Sequence, residues 1–158
     1  MIQLAGSVLF ALLFYPATLL FVVAGLTASL FGPGPTRTVV LGWSAFHGLL
    51  TRSLLGIRLN VEGTIPSGPH LIAVKHQSMY ETIELVRVAE TPVVVMKREL
   101  TEMPLFGWMT RRYGAIPVDR DAGPKALRTM LKMGKKGLAD RRAVIIYPEG
   151  TRGGPGET

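Results

Sequence analysis

The sequence predicts an α/β fold, a mixed β-sheet flanked by helices, preceded by an N-terminal membrane-embedded helical segment. Short β-branched runs alternate with stretches of helical periodicity, which is the pattern of layered α/β proteins. A long apolar run without charge occupies the start of the chain. With 158 residues and no cysteine, the sequence favours one main domain and excludes disulfides and thiolate metal sites.

The apolar run extends from Leu4 to Phe31, and no charged residue precedes Arg37. It exceeds the roughly 20 residues that a helix needs to cross a bilayer. Pro16 lies in its middle, so one kinked span and two short helices dipping into one leaflet both remain open. A cleaved signal peptide is disfavoured, because no basic residue precedes the run and the run is too long. We expect residues 1–35 to be membrane-embedded and residues 36–158 to form the α/β domain.

The elements of the α/β domain follow from periodicity and turn residues. Helical patterns begin at Thr36, extend from Ser78 to about Ala89, cover Glu99 to Tyr113 with Pro104 near the start, and begin again at Pro124. Strands are expected at Leu59–Glu62, Leu71–Lys75, Pro92–Met96, Ala115–Val118 and Ala143–Tyr147. The segment from Gly153 to Gly156 is expected to be flexible.

Charge and hydropathy indicate an anionic, lipid-like environment. The formal net charge is +7, the isoelectric point is near 10.1 and the mean hydropathy is +0.29. A basic chain suits nucleic acid or an anionic membrane surface. Nucleic acid is disfavoured, because aromatic residues make up only 8% and do not alternate with basic ones. The lysines between 125 and 136 indicate a solvated face first and membrane contact second.

His76 is the candidate general base. It follows a predicted strand, where α/β sheets place ligand-facing residues, and Glu81 follows five residues later. A carboxylate at that spacing can orient an imidazole and stabilise its cation. Ser78 and Glu81 also form a capping-box pattern, a structural role that does not exclude the first. His47 and His70 have no partner evident in the sequence and are interpreted as structural.

The segment from Tyr147 to Arg152 also follows a predicted strand. Gly150 permits close approach of the backbone to a ligand, and Arg152 offers two parallel hydrogen bonds to a phosphate. A simple turn with a surface arginine is the alternative. Lys97 and Arg98 follow another strand and are weaker candidates for the same anion.

Together with Gly114–Arg120, these segments resemble the 1-acylglycerol-3-phosphate acyltransferase family. That family has a histidine, four residues and an acid, and further on a Pro-Glu-Gly-Thr-Arg motif. The resemblance covers about Leu59 to Arg152, with Glu81 in place of the usual aspartate. It implies catalysis by His76 and Glu81, without a metal or a cofactor. It also implies, with the strand-end position of Lys97, a substrate-binding set of Arg120, Glu149, Gly150, Thr151, Arg152 and Lys97.

The implied reaction transfers an acyl group from coenzyme A or acyl carrier protein to the free hydroxyl of lysophosphatidic acid. We expect a membrane location with the site on the cytoplasmic side. A non-catalytic, membrane-anchored protein that binds anionic lipid is the alternative. The family continues well beyond the last motif, whereas this chain ends at Thr158. We therefore expect a C-terminally truncated fragment that is poorly stable, aggregation-prone and weakly active or inactive.

Overall fold

The computed structural model of the chain describes residues 2–119 and 122–150. The helices in these ranges are α1 (Ile2–Leu30), α2 (Pro33–Leu54), α3 (Met79–Val88), α4 (Arg98–Glu102), α5 (Phe106–Tyr113) and α6 (Pro124–Ala139). The strands are β1 (Leu71–Ala73), β2 (Val93–Lys97), β3 (Ile116–Val118) and β4 (Val144–Ile146). The alternation of strands and helices confirms the predicted α/β class.

The described strands form one sheet in the order β1-β4-β2-β3, and every pair is parallel. The predicted mixed pairing is therefore wrong for this part of the chain. The reason lies in the connections, since each pair of consecutive strands is joined through helices. A helical crossover carries the chain back to the end of the sheet at which the previous strand began, and the next strand then runs in the same direction.

The two faces of the sheet are covered by different helices. Ala143 and Ile145 pack with Leu85 and Ala89, so α3 covers the face to which these residues point. Val144 points the other way, towards side chains that include Met130 and Met133 of α6. Side chains of a strand alternate between faces, so β4 is buried on both sides by this arrangement. The prediction that β4 is a central, doubly apolar strand is confirmed.

Helices α1 and α2 form an antiparallel hairpin. The indole nitrogen of Trp43 donates to Thr18 at 3.0 Å, and the rings of Phe10 and His47 lie 6.0 Å apart. The turn lies at Gly32, whose φ of 114° favours glycine, and α2 begins at Pro33 rather than at Thr36. Of the two predicted forms of the apolar run, the structure has one continuous helix that contains Pro16.

The outer side of α1 is apolar and exposed. Its exposed large side chains recur every three or four residues over most of its length: Leu4, Val8, Leu12, Tyr15, Leu19 and Val23. From Gln3 to Leu30 the helix is long and apolar enough to cross a bilayer. By length and composition, α1 therefore suggests membrane association.

Two predicted elements differ from the structure. Leu59 and Val61 are 39% and 47% exposed, and no strand forms at residues 59–62 among those described, because neither face of that run is buried. The helix expected over Glu99–Tyr113 is divided into α4 and α5. Pro104 lies between them and cannot donate the hydrogen bond that a continuous helix would need there.

Candidate active site

His76 lies in the short connection between β1 and α3. Its Nδ1 is 2.9 Å from Oε1 of Glu81, and both side chains are about one-fifth exposed, at 19% and 20%. A carboxylate cannot donate, so Nδ1 is the donor in this contact. The other ring nitrogen, Nε2, is then the one with a lone pair available for a proton. The structure thus places together the two residues that the sequence predicts as the catalytic pair.

Glu81 is held by the first turn of α3. Its Oε1 accepts from the backbone nitrogens of Gln77 and Ser78 at 2.9 Å, and its Oε2 accepts from Oγ of Ser78 at 2.5 Å. Oγ of Ser78 in turn accepts from the backbone nitrogen of Tyr80. This is a complete capping box, so the structural role predicted for Glu81 is confirmed. The same carboxylate also faces His76, and the two roles coexist in one geometry.

The environment keeps Glu81 ionised. Burial raises the pKa of Glu81, but the hydrogen bonds from the Ser78 side chain and backbone and from His76 outweigh it and lower the pKa to about 2. Hydrogen bonds to the charged form stabilise that form. At neutral pH, Glu81 is therefore a fixed negative charge beside the imidazole, which suits the stabilisation of an imidazolium cation.

Tyr147 forms the wall on the sheet side of His76. The two rings lie 4.4 Å apart between centroids, and the Tyr147 hydroxyl donates to Oγ1 of Thr82 at 3.3 Å. Burial raises the pKa of Tyr147, so its hydroxyl remains protonated at neutral pH. Since Tyr147 directly follows β4 and Thr82 lies on α3, this contact links the sheet edge to the helix that carries Glu81.

Three of the predicted substrate-binding residues lie within the described part of the chain. Lys97 ends β2 and is exposed, and Glu149 follows β4 and is also exposed. Gly150 has a φ of 70°, which favours glycine, and its backbone nitrogen donates to the carbonyl of Tyr147. Strands β1, β4 and β2 are parallel neighbours in the sheet. Residues at their carboxyl ends therefore lie at the same end of the sheet as His76.

The remaining predicted substrate-binding residues, Arg120, Thr151 and Arg152, lie outside the described residues. Arg98, the weaker candidate beside Lys97, donates to Glu102 at 2.7 Å and to Asp119 at 3.2 Å. Two of its guanidinium nitrogens, Nε and Nη1, are therefore engaged by carboxylates. Asp119 therefore forms an ion pair with Arg98.

A buried ionic cluster escaped prediction. The sequence shows no partner for His47 and indicates a structural role, and in the structure its Nδ1 lies 2.9 Å from Oε1 of Glu84. Arg87 donates to Oε2 of the same carboxylate at 2.8 Å. The residues are far apart in sequence, so only the packing of α2 on α3 brings them together. Glu84 is buried on α3 beside Ile83 and Val86, and no local sequence pattern identifies its partner. His70 contacts the carbonyl oxygen of Gly68 at 2.8 Å.

Comparison with known proteins gives consistent results. The Acyltransferase family model matches residues 58–158. A 1-acyl-sn-glycerol-3-phosphate acyltransferase of Pseudomonas aeruginosa is 42% identical over 118 residues, covering 73% of this chain and 46% of that protein. A protein of the same name from Helicobacter pylori is 36% identical over 106 residues, covering 66% of this chain and 44% of that protein.

A solved structure shares the fold. The 1-acyl-sn-glycerophosphate (LPA) acyltransferase PlsC of Thermotoga maritima superposes with a TM-score of 0.65 at 24% sequence identity, covering 97% of this chain and 64% of that chain. The chain spans about half the length of the curated relatives it matches. The matched region contains the His76–Glu81 pair and the Tyr147–Gly150 segment. The chain therefore belongs to the Acyltransferase family.

Proposed function

We propose that the chain carries the catalytic centre of a membrane-associated acyltransferase that converts 1-acylglycerol-3-phosphate into phosphatidic acid. The observation that carries the proposal is the 2.9 Å contact between His76 Nδ1 and Glu81 Oε1. It lies at the end of the sheet where the parallel strands have their carboxyl ends. Membership of the Acyltransferase family supports it, as do the names of the two bacterial relatives.

The proposed chemistry is a direct transfer. Nε2 of His76 takes the proton from the free hydroxyl of the acceptor as that oxygen attacks the thioester carbonyl. The tetrahedral intermediate collapses, the carbon–sulfur bond breaks, and the departing thiolate takes the proton back from His76. Glu81 holds the ring and stabilises the imidazolium between the two steps. The acceptor brings its own hydroxyl, so the reaction requires no nucleophilic serine.

The binding residues are proposed from the family resemblance and, for Lys97, Glu149 and Gly150, from their common position at the carboxyl ends of the parallel strands. Glu149 and Arg152 belong to the acceptor site, Gly150 and Thr151 are further substrate-binding residues, and Arg120 binds the phosphate. Lys97 adds a positive charge at the same edge, where β2 ends. An arginine suits a phosphate because its planar guanidinium donates two parallel hydrogen bonds.

We also propose residues 1–35 as the membrane-embedded segment and residues 36–158 as the acyltransferase domain. The exposed apolar side of α1 would lie in lipid, which lets the acceptor keep its acyl chain in the membrane while its head group reaches His76. The cytoplasmic side is proposed for the site, with the acyl thioester of coenzyme A or of acyl carrier protein as co-substrate.

The deciding experiment measures release of free thiol from an acyl thioester, with and without lysophosphatidic acid. The proposal predicts thiol release that depends on the acceptor and equals the phosphatidic acid formed. A protein that binds lysophosphatidic acid but consumes no thioester would instead be the non-catalytic lipid binder. Parallel assays with coenzyme A and carrier-protein donors, and with other lysolipids as acceptors, identify the preferred substrates.

A further inference from the structure

A second histidine–glutamate pair lies in the interior, between the hairpin and α3. His47 Nδ1 is 2.9 Å from Glu84 Oε1, and these side chains are only 6% and 1% exposed. Arg87 donates to the other carboxylate oxygen at 2.8 Å and reaches the surface, with 44% of its side chain exposed. A buried carboxylate is tolerated only when it is paired and hydrogen-bonded, so Glu84 depends on both partners.

The surroundings of the pair join three helices. From α2, Oγ of Ser44 donates to the carbonyl of Ile83 at 2.7 Å. A Cβ atom at Gly48 would lie 3.0 Å from Oε1 of Glu84, so the glycine permits the close approach of α3. From α1, the ring of Phe14 lies 5.2 Å from the ring of His47. The hairpin and α3 are therefore joined by hydrogen bonds and by a close approach at Gly48, as well as by apolar contacts.

Helix α3 connects this buried contact to the His76–Glu81 pair. Glu81 and Glu84 are three residues apart on α3, nearly one helical turn. A displacement of the helix at Glu84 therefore also displaces Glu81. On the sheet side, Thr82 accepts from the hydroxyl of Tyr147, whose ring packs against His76. The position of α3 between α2 and β4 therefore sets where Glu81 and His76 lie relative to the sheet edge.

We propose that His47 and Glu84 are positioning residues for the catalytic pair, and that the hairpin is part of the active site's support as well as a lipid-facing element. The structural part of the proposal stands independently, while its effect on turnover rests on the proposed acyltransferase function. Among the described residues of α3, Arg87 donates to Glu84 and the ring of Tyr80 lies 5.7 Å from that of His47, while α1 contributes aromatic rings.

The test compares two substitutions of His47 in the detergent-solubilised full chain. His47→Leu keeps much of the volume and removes the donor to Glu84. His47→Asn supplies an amide nitrogen near the position of Nδ1 and restores the donor. We expect His47→Leu to lower kcat by roughly 10- to 100-fold at equal folded fraction, because displacements of about 1 Å have such effects. His47→Asn should keep most of the turnover.

A spectroscopic measurement separates positioning from loss of folded protein. The chain contains three histidines, so isotope-labelled histidine yields few ring resonances, which substitution assigns. The Tyr147 ring at 4.4 Å shifts the ring resonances of His76. In folded His47→Leu protein these resonances should move towards their unperturbed positions, and His47→Asn should restore them. Tyr113→Phe is the control, because it removes a buried hydrogen bond to Pro92 at the opposite end of the sheet, where β2 begins. This substitution should leave the His76 resonances unchanged.

Folded His47→Leu protein with parent-like His76 resonances would overturn the proposal, whether or not turnover falls. If His47→Leu does not fold, Glu84→Leu replaces it, since leucine removes the acceptor of the His47 hydrogen bond. Unmoved resonances and full turnover in folded Glu84→Leu would overturn the proposal equally. Absence of acyl transfer in the parent protein would bear on the proposed function and not on the positioning role, which the resonances would still decide.

Discussion

Oε1 of Glu81 accepts a hydrogen bond from Nδ1 of His76 at 2.9 Å while the same carboxylate closes the capping box of α3. The start of the helix and the orientation of the imidazole therefore depend on one side chain. The extra methylene of glutamate, compared with the aspartate usual in the resembled family, does not prevent this contact. Capping and stabilisation of the imidazolium are separable by experiment, because only the second requires a negative charge.

We expect Glu81→Gln to lose most acyl-transfer activity and to retain most of its thermal stability. Glutamine can still accept from the backbone nitrogens at the start of α3, as glutamine does in other capping boxes. It carries no charge to stabilise the His76 imidazolium. Turnover and melting temperature measured on the same preparation give the answer, with Glu81→Ala as the variant that loses both roles. A marked loss of stability with unchanged specific activity would favour capping alone.

Acid should destabilise the parent protein more than Glu81→Gln. The folded-state pKa of Glu81 is lowered from 4.5 to about 2, so the carboxylate contributes stability that is fully present above pH 4.5. That contribution is lost as the pH falls from 4.5 towards 2, because the unfolded chain then binds a proton that the folded one does not. Melting temperatures recorded across this range should fall more steeply for the parent. Parallel curves would contradict the assignment.

Arg142→Met should reduce stability and leave turnover of the folded protein unchanged. Arg142 is buried at the end of the sheet where the strands begin. There it donates to the carbonyls of Thr91 and Pro92 and lies over the ring of Tyr113. Its loss leaves the part-buried carbonyl of Thr91 without its donor, which costs about 1 to 2 kcal/mol, while the carbonyl of Pro92 keeps the hydroxyl of Tyr113. Denaturant unfolding measures the cost. A large fall in kcat without loss of stability would place Arg142 in the catalytic apparatus instead.

Deleting the residues before Thr36 should release the protein from membranes, because α1 and its exposed apolar side are removed. Residual binding should be weak and sensitive to salt, since only basic surface groups would remain to carry it. The structure adds a second expectation, because α1 covers Trp43 and His47. The deletion should therefore also lower stability. Carbonate-resistant membrane association of the shortened protein would show that the anchor lies elsewhere.

Local signals in the sequence were sufficient for much of the fold and for the centre of the site. The capping box at Ser78 and Glu81 is specified within a few residues, and the β-branched runs of β2 and β4 are buried as predicted. Motif spacing likewise placed His76 beside Glu81. These features depend on neighbours in sequence or on the two-residue period of strands.

Features that depend on distant contacts were predicted less well. Strand direction follows from the crossover helices, so the fully parallel pairing of the described sheet was not evident from single strands. The pairing of His47 with Glu84 joins residues 37 positions apart. Nothing in either local sequence identifies the other. The run at residues 59–62 has the composition of a strand but no buried face, which the sequence pattern does not reveal.

The most direct test of the catalytic assignment compares His76→Ala with His70→Ala in an assay of acceptor-dependent thiol release. Both histidines lie close to β1, but only His76 contacts Glu81. The assignment predicts that His76→Ala loses about 100- to 10,000-fold in turnover with membrane association intact, as is typical for removal of a general base. His70→Ala should keep turnover near the parent value per folded molecule. Near-parent turnover by purified, folded His76→Ala would contradict the mechanism.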